Sequence, residues 1–519
     1  MLGIELGSTR IKAVLIDDEH KQIASGSFDW ENDFVDGVWT YSLEDAVKGV
    51  QTCYAALKAD VLEKYGVILK KLGAMGISAM MHGYLPLDKN GKQLTEFRTW
   101  RNTITGRSAG ELTELFGFNI PQRWSIAHLD RALLEGEVHV RDIDRITTLA
   151  GYIHTLLGGE NVVGVGEASG MFPISADSVA YDERMVSLFD ERWAKLDLPW
   201  KLLDVLPKPV PAGVPAGTLS AEGAKLLDPT GELEAGTPLA PPEGDAGTGM
   251  AATCAVAQRT GNVSAGTSIF SMVVLERPLS AVHEEIDMVT TPAGAPVAMV
   301  HCNNCTSDLD AWANLFGEAA KLFGANPSRP ELFDSLYAAA MSGEPDCGGL
   351  LTLGYLSGEP VTGFSEGRPM VARNPESHLT LGNFMRAQCY SAVATLAIGM
   401  KILEAERVKI DRLTGHGGFF KAEKVGAQIL ADALRAPVTT MSTAGEGGPW
   451  GMALLASYML NKNEGETLES YLGNRVFAAF DGANYAPDEE GSAGFEKWLE
   501  GYRALLAAED TLITEVQDA

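Results

Sequence analysis

Hydrophobic and polar residues alternate over short runs at the start of the chain, as they do in β-strands. Three runs, Leu2–Glu5, Ile11–Asp17 and Gln22–Phe28, predict a β-meander, because Gly- and polar-rich segments separate them. The period then becomes helical after Ser42, with apolar residues at positions 47, 50, 54 and 57. A further apolar run, Ala74–Ser78, predicts a buried strand. The first part of the chain should therefore combine an antiparallel meander with αβ units.

The opening pattern occurs a second time near the middle of the chain. Gly7-Ser8-Thr9 and Gly266-Thr267-Ser268 each lie between a short strand and a strand of apolar and β-branched residues. The two glycines are 259 residues apart, half the length of the 519-residue chain. This repeat predicts two domains of one fold that face each other.

A proline-rich segment lies between the two copies and indicates a domain boundary. Eight of the 24 prolines fall between Pro207 and Pro242, which excludes a long helix or a central strand there. We interpret the segment as an irregular connector, with a cleft opening near its end. The chain then returns to αβ alternation. Helices are predicted over Asp308–Phe323, Leu379–Leu403 (one long helix or two), Lys421–Leu434 and Gly451–Leu460, and strands over Ala295–Val300, Arg412–Gly415 and Val438–Met441.

Composition and charge narrow the class of protein. The chain is 45% hydrophobic, and its 41 basic against 69 acidic residues give a net charge of −28, with a pI near 4.7. Such a chain repels nucleic acids and anionic membranes. No apolar run reaches the ~18 residues of a membrane span, and the N-terminus lacks the pattern of a signal peptide, so we expect a cytoplasmic protein. Cys302 and Cys305 have CxxC spacing without a second pair, which favours reduced structural cysteines.

The two Gly-Ser/Thr turns are candidate phosphate sites. Either turn alone could be a plain hairpin turn, but glycine also lets backbone N–H groups and hydroxyls approach an anion. Glu5 stands directly before the first turn, where a carboxylate could hold Mg²⁺ through water molecules or could simply be a strand residue. Two such turns could bind one polyphosphate from both sides.

Three further segments carry candidate chemistry. Asp245 follows the proline-rich segment and is either a turn aspartate or a base that accepts a hydroxyl proton during attack on phosphorus. The loops Thr414–Phe420 and Gly445–Gly451 are glycine-rich, which suits a nucleotide site better than a plain connection. The chain lacks the GxxxxGK[ST] motif of P-loop proteins, and the GxGxxA letters at 247–252 follow the proline-rich segment, where no strand is predicted.

Taken together and in order, these motifs resemble the FGGY family of carbohydrate kinases, within the superfamily of sugar kinases, heat-shock proteins and actin. The resemblance extends from Leu2 to about Ala456. It rests on the segments Leu2–Ala13, Ile77–Gly83, Glu167–Gly170, Gly244–Ala246, Gly266–Ser268, Leu351–Glu359, Gly417–Gly418 and Gly451–Ala453.

The resemblance implies an α/β fold with two RNase H-like (actin-like ATPase) domains flanking a central cleft. Residues 1–246 would bind the sugar and residues 247–519 would bind ATP with Mg²⁺. Asp245 would be the catalytic base and, with Glu5, a metal partner, while Met81, His82, Trp100, Arg101 and Asp245 would contact the sugar. The nucleotide would meet Gly7, Ser8, Thr9, Lys12, Gly266, Thr267, Ser268, Gly417, Gly418 and Gly451.

Departures from the family pattern leave the substrate open. Glu5 stands where the family has aspartate, and Trp100-Arg101-Asn102 replaces a Trp-Asn-Asp loop that helps to choose the sugar. Met81-His82 favours a ketopentose such as xylulose, whereas the guanidinium of Arg101 suits a longer or acidic substrate. A polyol, a sugar acid and a non-kinase ATP-binding protein of the actin or chaperone type remain alternatives. The resemblance implies a small sugar as partner, and it leaves a homodimer open.

Overall fold

The computed structural model describes residues 1–421, 424–441, 447–478 and 482–517. Within these residues the strands are β1 (Leu2–Leu6), β2 (Arg10–Ile16), β3 (Gln22–Asp29), β4 (Asp33–Val35), β5 (Val38–Thr40), β6 (Met75–Ala79), β7 (Leu85–Leu87), β8 (Arg145–Thr147), β9 (Val162–Gly164), β10 (Lys208–Val210), β11 (Glu243–Gly244), β12 (Thr260–Ala265), β13 (Ile269–Val274), β14 (Ile286–Thr290), β15 (Pro296–Cys302), β16 (Leu350–Leu353), β17 (Met370–Arg373), β18 (Arg412–His416), β19 (Val438–Met441) and β20 (Gly482–Tyr485).

The helices of the same residues alternate with these strands. They are α1 (Leu43–Tyr65), α2 (Gly106–Phe116), α3 (Ser125–Leu134), α4 (Leu149–Leu156), α5 (Val165–Ala168), α6 (Glu183–Trp193), α7 (Leu202–Val205), α8 (Ala221–Leu227), α9 (Asp245–Ala252), α10 (Ser307–Leu322), α11 (Arg329–Met341), α12 (Leu381–Ala405), α13 (Val425–Leu434), α14 (Gly447–Asn461), α15 (Leu468–Tyr471) and α16 (Glu489–Gln517).

The chain forms two compact units, and the first comprises Met1–Gln258, Arg277–Val297 and Glu446–Phe480. Its sheet has the order β11-β6-β1-β2-β3, in which β1 pairs antiparallel with β2 and parallel with β6. The apolar side chains of β1 are fully buried, as expected for a central strand. Ser42 caps α1 by accepting a hydrogen bond from the N–H of Asp45, as its sequence predicts.

The second unit comprises Arg259–Glu276, Ala298–Gly445 and Asp481–Ala519 and repeats this strand arrangement. β12 pairs antiparallel with β13 across the Gly266–Ser268 turn and parallel with β18 on its other side. These are the relations of β1 to β2 and β6, so the repeat predicted from the sequence is confirmed in the topology. β18, β19 and β20 continue this sheet, and α12 is one continuous, largely buried helix.

Two sequence predictions need correction. The proline-rich segment contains β10 and α8, and four of its five leucines (Leu219, Leu227, Leu233 and Leu239) are buried in the core of the first unit. Gly447–Gly451 was expected in a loop, but α14 begins at Gly447, so these residues form its first turn. Gly445 and Glu446 of that predicted loop, and residues 422 and 423 of the predicted helix Lys421–Leu434, lie outside the described residues.

Two further observations concern the described residues. None of the six cysteines, all of which lie in the described residues, forms a disulfide, and this includes the CxxC pair Cys302 and Cys305. None of the helices traced in the described ranges has the length and apolar character needed to cross a bilayer.

Close packing of α14 on β1 holds the first unit together and makes Gly3 sensitive to substitution. A methyl group at Gly3 would lie 2.0 Å from the carbonyl oxygen of Pro449 and 2.6 Å from the N atom of Ala453. We expect Gly3→Ala to lower the free energy of unfolding by about 2–4 kcal/mol, measured by denaturant titration. Gly110→Ala on α2 is the matched control, since a methyl group there meets no atom within 4 Å. Equal stability of the two variants would contradict this packing.

Candidate active site

The turn between β1 and β2 is fixed by hydrogen bonds to its carbonyl groups. The indole N–H of Trp30 donates to the oxygen of Gly7 at 2.7 Å, and the hydroxyl of Tyr41 donates to the oxygen of Ser8 at 2.7 Å. The two rings also contact each other, with centroids 4.4 Å apart. Within the described part of the chain, the N–H groups of Ser8 and Thr9 donate to no protein acceptor. The turn is therefore preorganised to present backbone donors to an anion.

The turn between β12 and β13, in the second unit, is built on the same principle with different donors. The N–H of Cys305 donates to the oxygen of Thr267 at 3.0 Å, and Thr306 donates to the oxygen of Gly266 through its N–H at 3.1 Å and its hydroxyl at 2.8 Å. Gly417 lies directly beside this turn, since a methyl group there would be 2.4 Å from the oxygen of Ala265. The second unit thus brings Gly266, Thr267, Ser268 and Gly417 together.

Asp245, the first residue of α9, lies at the carboxyl end of β11. Its Oδ1 atom accepts hydrogen bonds from the N–H of Met81 at 3.1 Å and from its neighbour Ala246 at 2.9 Å. Part of the Asp245 side chain is exposed to solvent, and protein atoms surround the rest of it. These surroundings raise the pKa of Asp245 to about 6, and the two backbone donors limit the rise. A carboxylate with such a pKa suits a general base near neutral pH.

Three more carboxyl groups of the first unit have raised pKa values. Burial, reinforced by the charge of Asp245, raises the pKa of Glu5 to about 8, and Lys12 opposes the shift from the facing position on β2. Burial raises the pKa of Glu243 to about 7. Burial and then the charge of Glu243 raise the pKa of Glu167 well above its usual range. The pKa values of all four carboxyl groups of this acid cluster (Glu5, Glu167, Glu243 and Asp245) are therefore raised in the folded protein.

His82 is held by Gly170, from one of the motif segments, and by Arg123, which no sequence motif indicated. Its Nδ1 atom contacts the oxygen of Gly170 at 3.2 Å, and its Nε2 atom accepts from Nε of Arg123 at 3.1 Å. Arg123 in turn forms an ion pair with Asp287 of β14. His82 itself adopts a left-handed backbone conformation, with φ of 72°, which is uncommon for residues other than glycine.

The Trp100-Arg101-Asn102 segment lies against the β4–β5 hairpin. Trp100 is half-buried on the hydrophobic core of the first unit. The exposed guanidinium of Arg101 stacks over the ring of Trp39, 4.0 Å from its centroid. The side chain of Asn102 accepts from the N–H of Trp39 and donates to its oxygen, both at 2.8 Å. Asn102 therefore fixes this segment relative to the hairpin.

The remaining predicted nucleotide contacts differ in their surroundings. A methyl group at Gly418 of the second unit would meet no atom within 4 Å, so its backbone is accessible. A methyl group at Gly451 would lie 2.0 Å from the oxygen of Thr248, which makes Gly451 a close-packing residue between α14 and α9 in the first unit. Across the described residues, no group of three or more His, Cys, Asp and Glu side chains is arranged to hold a metal ion.

Family models decide the class of protein. The N-terminal domain model of the FGGY carbohydrate kinases matches residues 1–246, and the C-terminal domain model of the same family matches residues 261–460. The chain belongs to the FGGY family of carbohydrate kinases. Members of this family use ATP as the phosphate donor. The sequence resemblance is thereby confirmed, and so is the α/β fold of the actin-like ATPase class.

Solved structures share the fold of this FGGY kinase over nearly its whole length. A xylulose kinase from Rhodospirillum rubrum (TM-score 0.79, 19% identity) covers 98% of this chain and 99% of its own. A gluconate kinase from Lactobacillus acidophilus (TM-score 0.79, 18% identity) covers 98% and 99%. A glycerol kinase from Plasmodium falciparum (TM-score 0.75, 14% identity) covers 97% of each. No protein of curated function matches the sequence of this FGGY kinase.

The acid cluster makes the stability of this FGGY kinase depend on pH. Glu243 is buried with a folded-state pKa of about 7 against an ordinary value of 4.5, so the folded protein binds more protons between these values. Stability should therefore fall as pH rises from 4.5 through 7. We expect Glu243→Gln to flatten this fall, by up to about 1.4 kcal/mol per pH unit, in denaturant titrations at pH 5, 6, 7 and 8.

The matched control for this measurement is Glu63→Gln, on the exposed face of α1. It should follow the pH profile of the unmodified protein. A Glu243→Gln profile that is parallel to that of the unmodified protein would show that the cluster does not take up protons on folding.

Proposed function

We propose that this FGGY kinase transfers the γ-phosphoryl group of ATP to a hydroxyl of a ketopentose such as xylulose. The observation that carries the proposal is the hydrogen bond between Asp245 and the N–H of Met81. It places a carboxylate with a pKa of about 6 beside the Met81-His82 pair, which resembles that of xylulokinases. Neighbours named for xylulose, gluconate and glycerol are all below 20% identity, so the substrate rests on the site and not on them.

In this mechanism Asp245 accepts the proton of the attacking hydroxyl. Both of its hydrogen bonds to neighbouring residues use Oδ1, so Oδ2 is available to the sugar. Removal of the proton as the oxygen attacks phosphorus makes the hydroxyl a better nucleophile. Trp100 would orient the sugar through its ring face, and His82 would fix this part of the site through its hydrogen bonds to Gly170 and Arg123.

Backbone donors would stabilise the charge on the transferred phosphoryl group. The N–H groups of Gly7 and Gly266 already donate within their own turns, to Arg10 and Ser268. In each unit taken separately, the donors proposed for phosphate oxygens are therefore the N–H groups of Ser8 and Thr9 and those of Thr267 and Ser268. The other residues proposed for nucleotide binding are Lys12 and Gly451 in the first unit and Gly417 and Gly418 in the second. Gly451 would act through packing, because Thr248 covers it.

Magnesium would be held by Glu5 and Asp245, largely through water molecules. Mg²⁺ in phosphoryl-transfer sites commonly uses one or two carboxylates together with substrate phosphates, so the lack of a three-ligand cluster in the described residues fits this arrangement. Burial is the main cause of the raised pKa of Glu5, and a cation here would relieve the smaller contribution that comes from the charge of Asp245. When bound, the ion neutralises charge on the phosphates.

Replacing the proposed base tests the mechanism. Asp245→Asn keeps the shape of the side chain but removes the proton acceptor, so we expect kcat to fall by ~10²–10⁴-fold while ATP binding is retained. In the unmodified enzyme, kcat/KM should rise with pH through about 6 as Asp245 loses its proton. The measurement is sugar-dependent ADP formation, with exposed Asp177→Asn as control. A variant of normal rate would disprove the assignment.

Substitution of Glu5 tests the metal site separately. Glu5→Ala should raise the Mg²⁺ concentration needed for half-maximal activity, because one carboxylate partner is lost. Titrating Mg²⁺ at saturating ATP and sugar measures this directly. An unchanged titration curve would assign Glu5 to the strand alone.

A substrate panel tests the specificity. ATP consumption should depend on an added ketopentose, and kcat/KM should be higher for xylulose than for glycerol. A preference for glycerol would overturn the argument from Met81-His82. Consumption of ATP without any sugar would instead favour a non-kinase ATPase.

A further inference from the structure

We propose that Arg123, held by Asp287, is a specificity-determining residue of the acceptor site and restricts the acceptor to uncharged polyhydroxy compounds. The proposal rests on the function proposed above, in which the surroundings of Met81, His82 and Asp245 receive the sugar. It adds two residues outside the motifs that carry the family resemblance.

The hydrogen bonds of His82 engage both of its ring nitrogens, so a sugar bound beside it needs a hydrogen-bond donor from another residue. A guanidinium can only donate, so Nε2 of His82 must accept from Arg123, and Nδ1 must carry the proton that it donates to Gly170. His82 is therefore a neutral imidazole with both ring nitrogens engaged. The available donor for a sugar oxygen beside His82 is the guanidinium of Arg123, which is hydrogen-bonded to the histidine.

The guanidinium of Arg123 has one nitrogen that can donate a hydrogen bond to a ligand. Its Nε atom is bonded to His82 and its Nη2 atom to Asp287, while Nη1 donates to no protein acceptor in the described ranges. The side chain is 22% exposed, so a small ligand can approach it. Burial lowers the pKa of Arg123 only to about 10, and the group remains charged at neutral pH.

Asp287 balances that charge and directs the choice of substrate. Its side chain is only 9% exposed, and Nδ2 of Asn119, which anchors β14 by donating to the oxygen of Ile286 at 2.9 Å, lies 3.5 Å from it. Because the ion pair is neutral overall, it has no excess positive charge for a carboxylate. A sugar acid would have to compete with Asp287 for the same guanidinium.

The surrounding charge acts in the same direction. Met81, next to His82, donates to Asp245, and Glu167 lies on the short helix that leads to Gly170. A substrate carboxylate would be placed among acidic groups, and like charges in a poorly solvated site are costly. An uncharged ketose or polyol avoids this repulsion and still accepts a hydrogen bond from Arg123.

The decisive experiment alters the charge balance of the pair. In the unmodified enzyme we expect kcat/KM for xylulose to exceed that for gluconate by at least ~10²-fold. Asp287→Asn frees the guanidinium charge, so the ratio should move toward gluconate by at least ~10-fold. Arg123→Met should lower kcat/KM for xylulose by ~10–10³-fold, mainly through KM, with KM for ATP unchanged. Arg107→Gln, which removes an exposed guanidinium on α2, should leave all values unchanged.

Folding of the variants is monitored by thermal denaturation, and the double variant Arg123→Met/Asp287→Asn removes both charges together. A gluconate preference in the unmodified enzyme, or an unchanged substrate ratio in folded Asp287→Asn, would overturn the proposal. If Asp287→Asn does not fold, a double variant with normal kcat/KM for xylulose would overturn it, and a loss like that of Arg123→Met would support it.

A binding measurement separates this proposal from the proposed function. Thermal stabilisation by xylulose is measured without ATP, in the unmodified protein and in Arg123→Met. Stabilisation that depends on Arg123, without sugar-dependent ADP formation, would support the acceptor site and contradict the kinase assignment. Absence of both sugar binding and turnover would contradict both.

Discussion

The fixation of backbone carbonyls at two hairpin turns is the constraint on which the rest of the structure depends. A turn that binds phosphate must present N–H groups, and it does so reliably only when its carbonyl oxygens have partners of their own. The first unit uses the side chains of Trp30 and Tyr41 for this purpose, and the second unit uses the backbone and hydroxyl of residues 305 and 306. The same requirement is thus met by different chemistry in two copies of one topology.

The acid cluster is the electrostatic counterpart of that constraint. The surroundings that raise the pKa of Asp245 also contain Glu5 and Glu243, whose pKa values are raised by burial, so the folded protein carries groups that would be better solvated if it unfolded. Such opposition between stability and chemistry is typical of catalytic sites. Backbone donors at Asp245 moderate the cost without removing it.

Local sequence signals predicted the local structure well. The strand and turn pattern of both hairpins, the Ser42 cap and strand β19 depend on residues close to one another in the chain, and the structure has them where expected. The helical start of α14 could not be predicted in this way, because Gly448 and Gly451 are suitable there only for their packing against Glu5 and Thr248. Glycine has a low helix propensity, so local sequence alone predicts a loop for such a segment.

The contact partners of the candidate site residues were harder to predict, because these contacts join residues that are far apart in the sequence. Met81 and Asp245 are recognisable from motifs, but Arg123 and Asp287 are ordinary charged residues until the fold brings them to His82. Trp30 and Tyr41 likewise act on a turn more than 20 residues away. One sequence contains no signal for contacts of this range unless a motif already specifies them.

The position of α14 has a consequence for how the chain is made. This helix packs on β1 and α9, yet roughly two hundred residues separate it from the end of the first domain model. At the usual 5–20 residues per second, a ribosome takes about 10–40 s to cover that distance. During this interval the sheet of the first unit lacks its last covering helix, and the second unit can begin to form around its own hairpin. The first unit is therefore the first to be synthesised, but it is completed only when α14, made about two hundred residues later, has packed onto it.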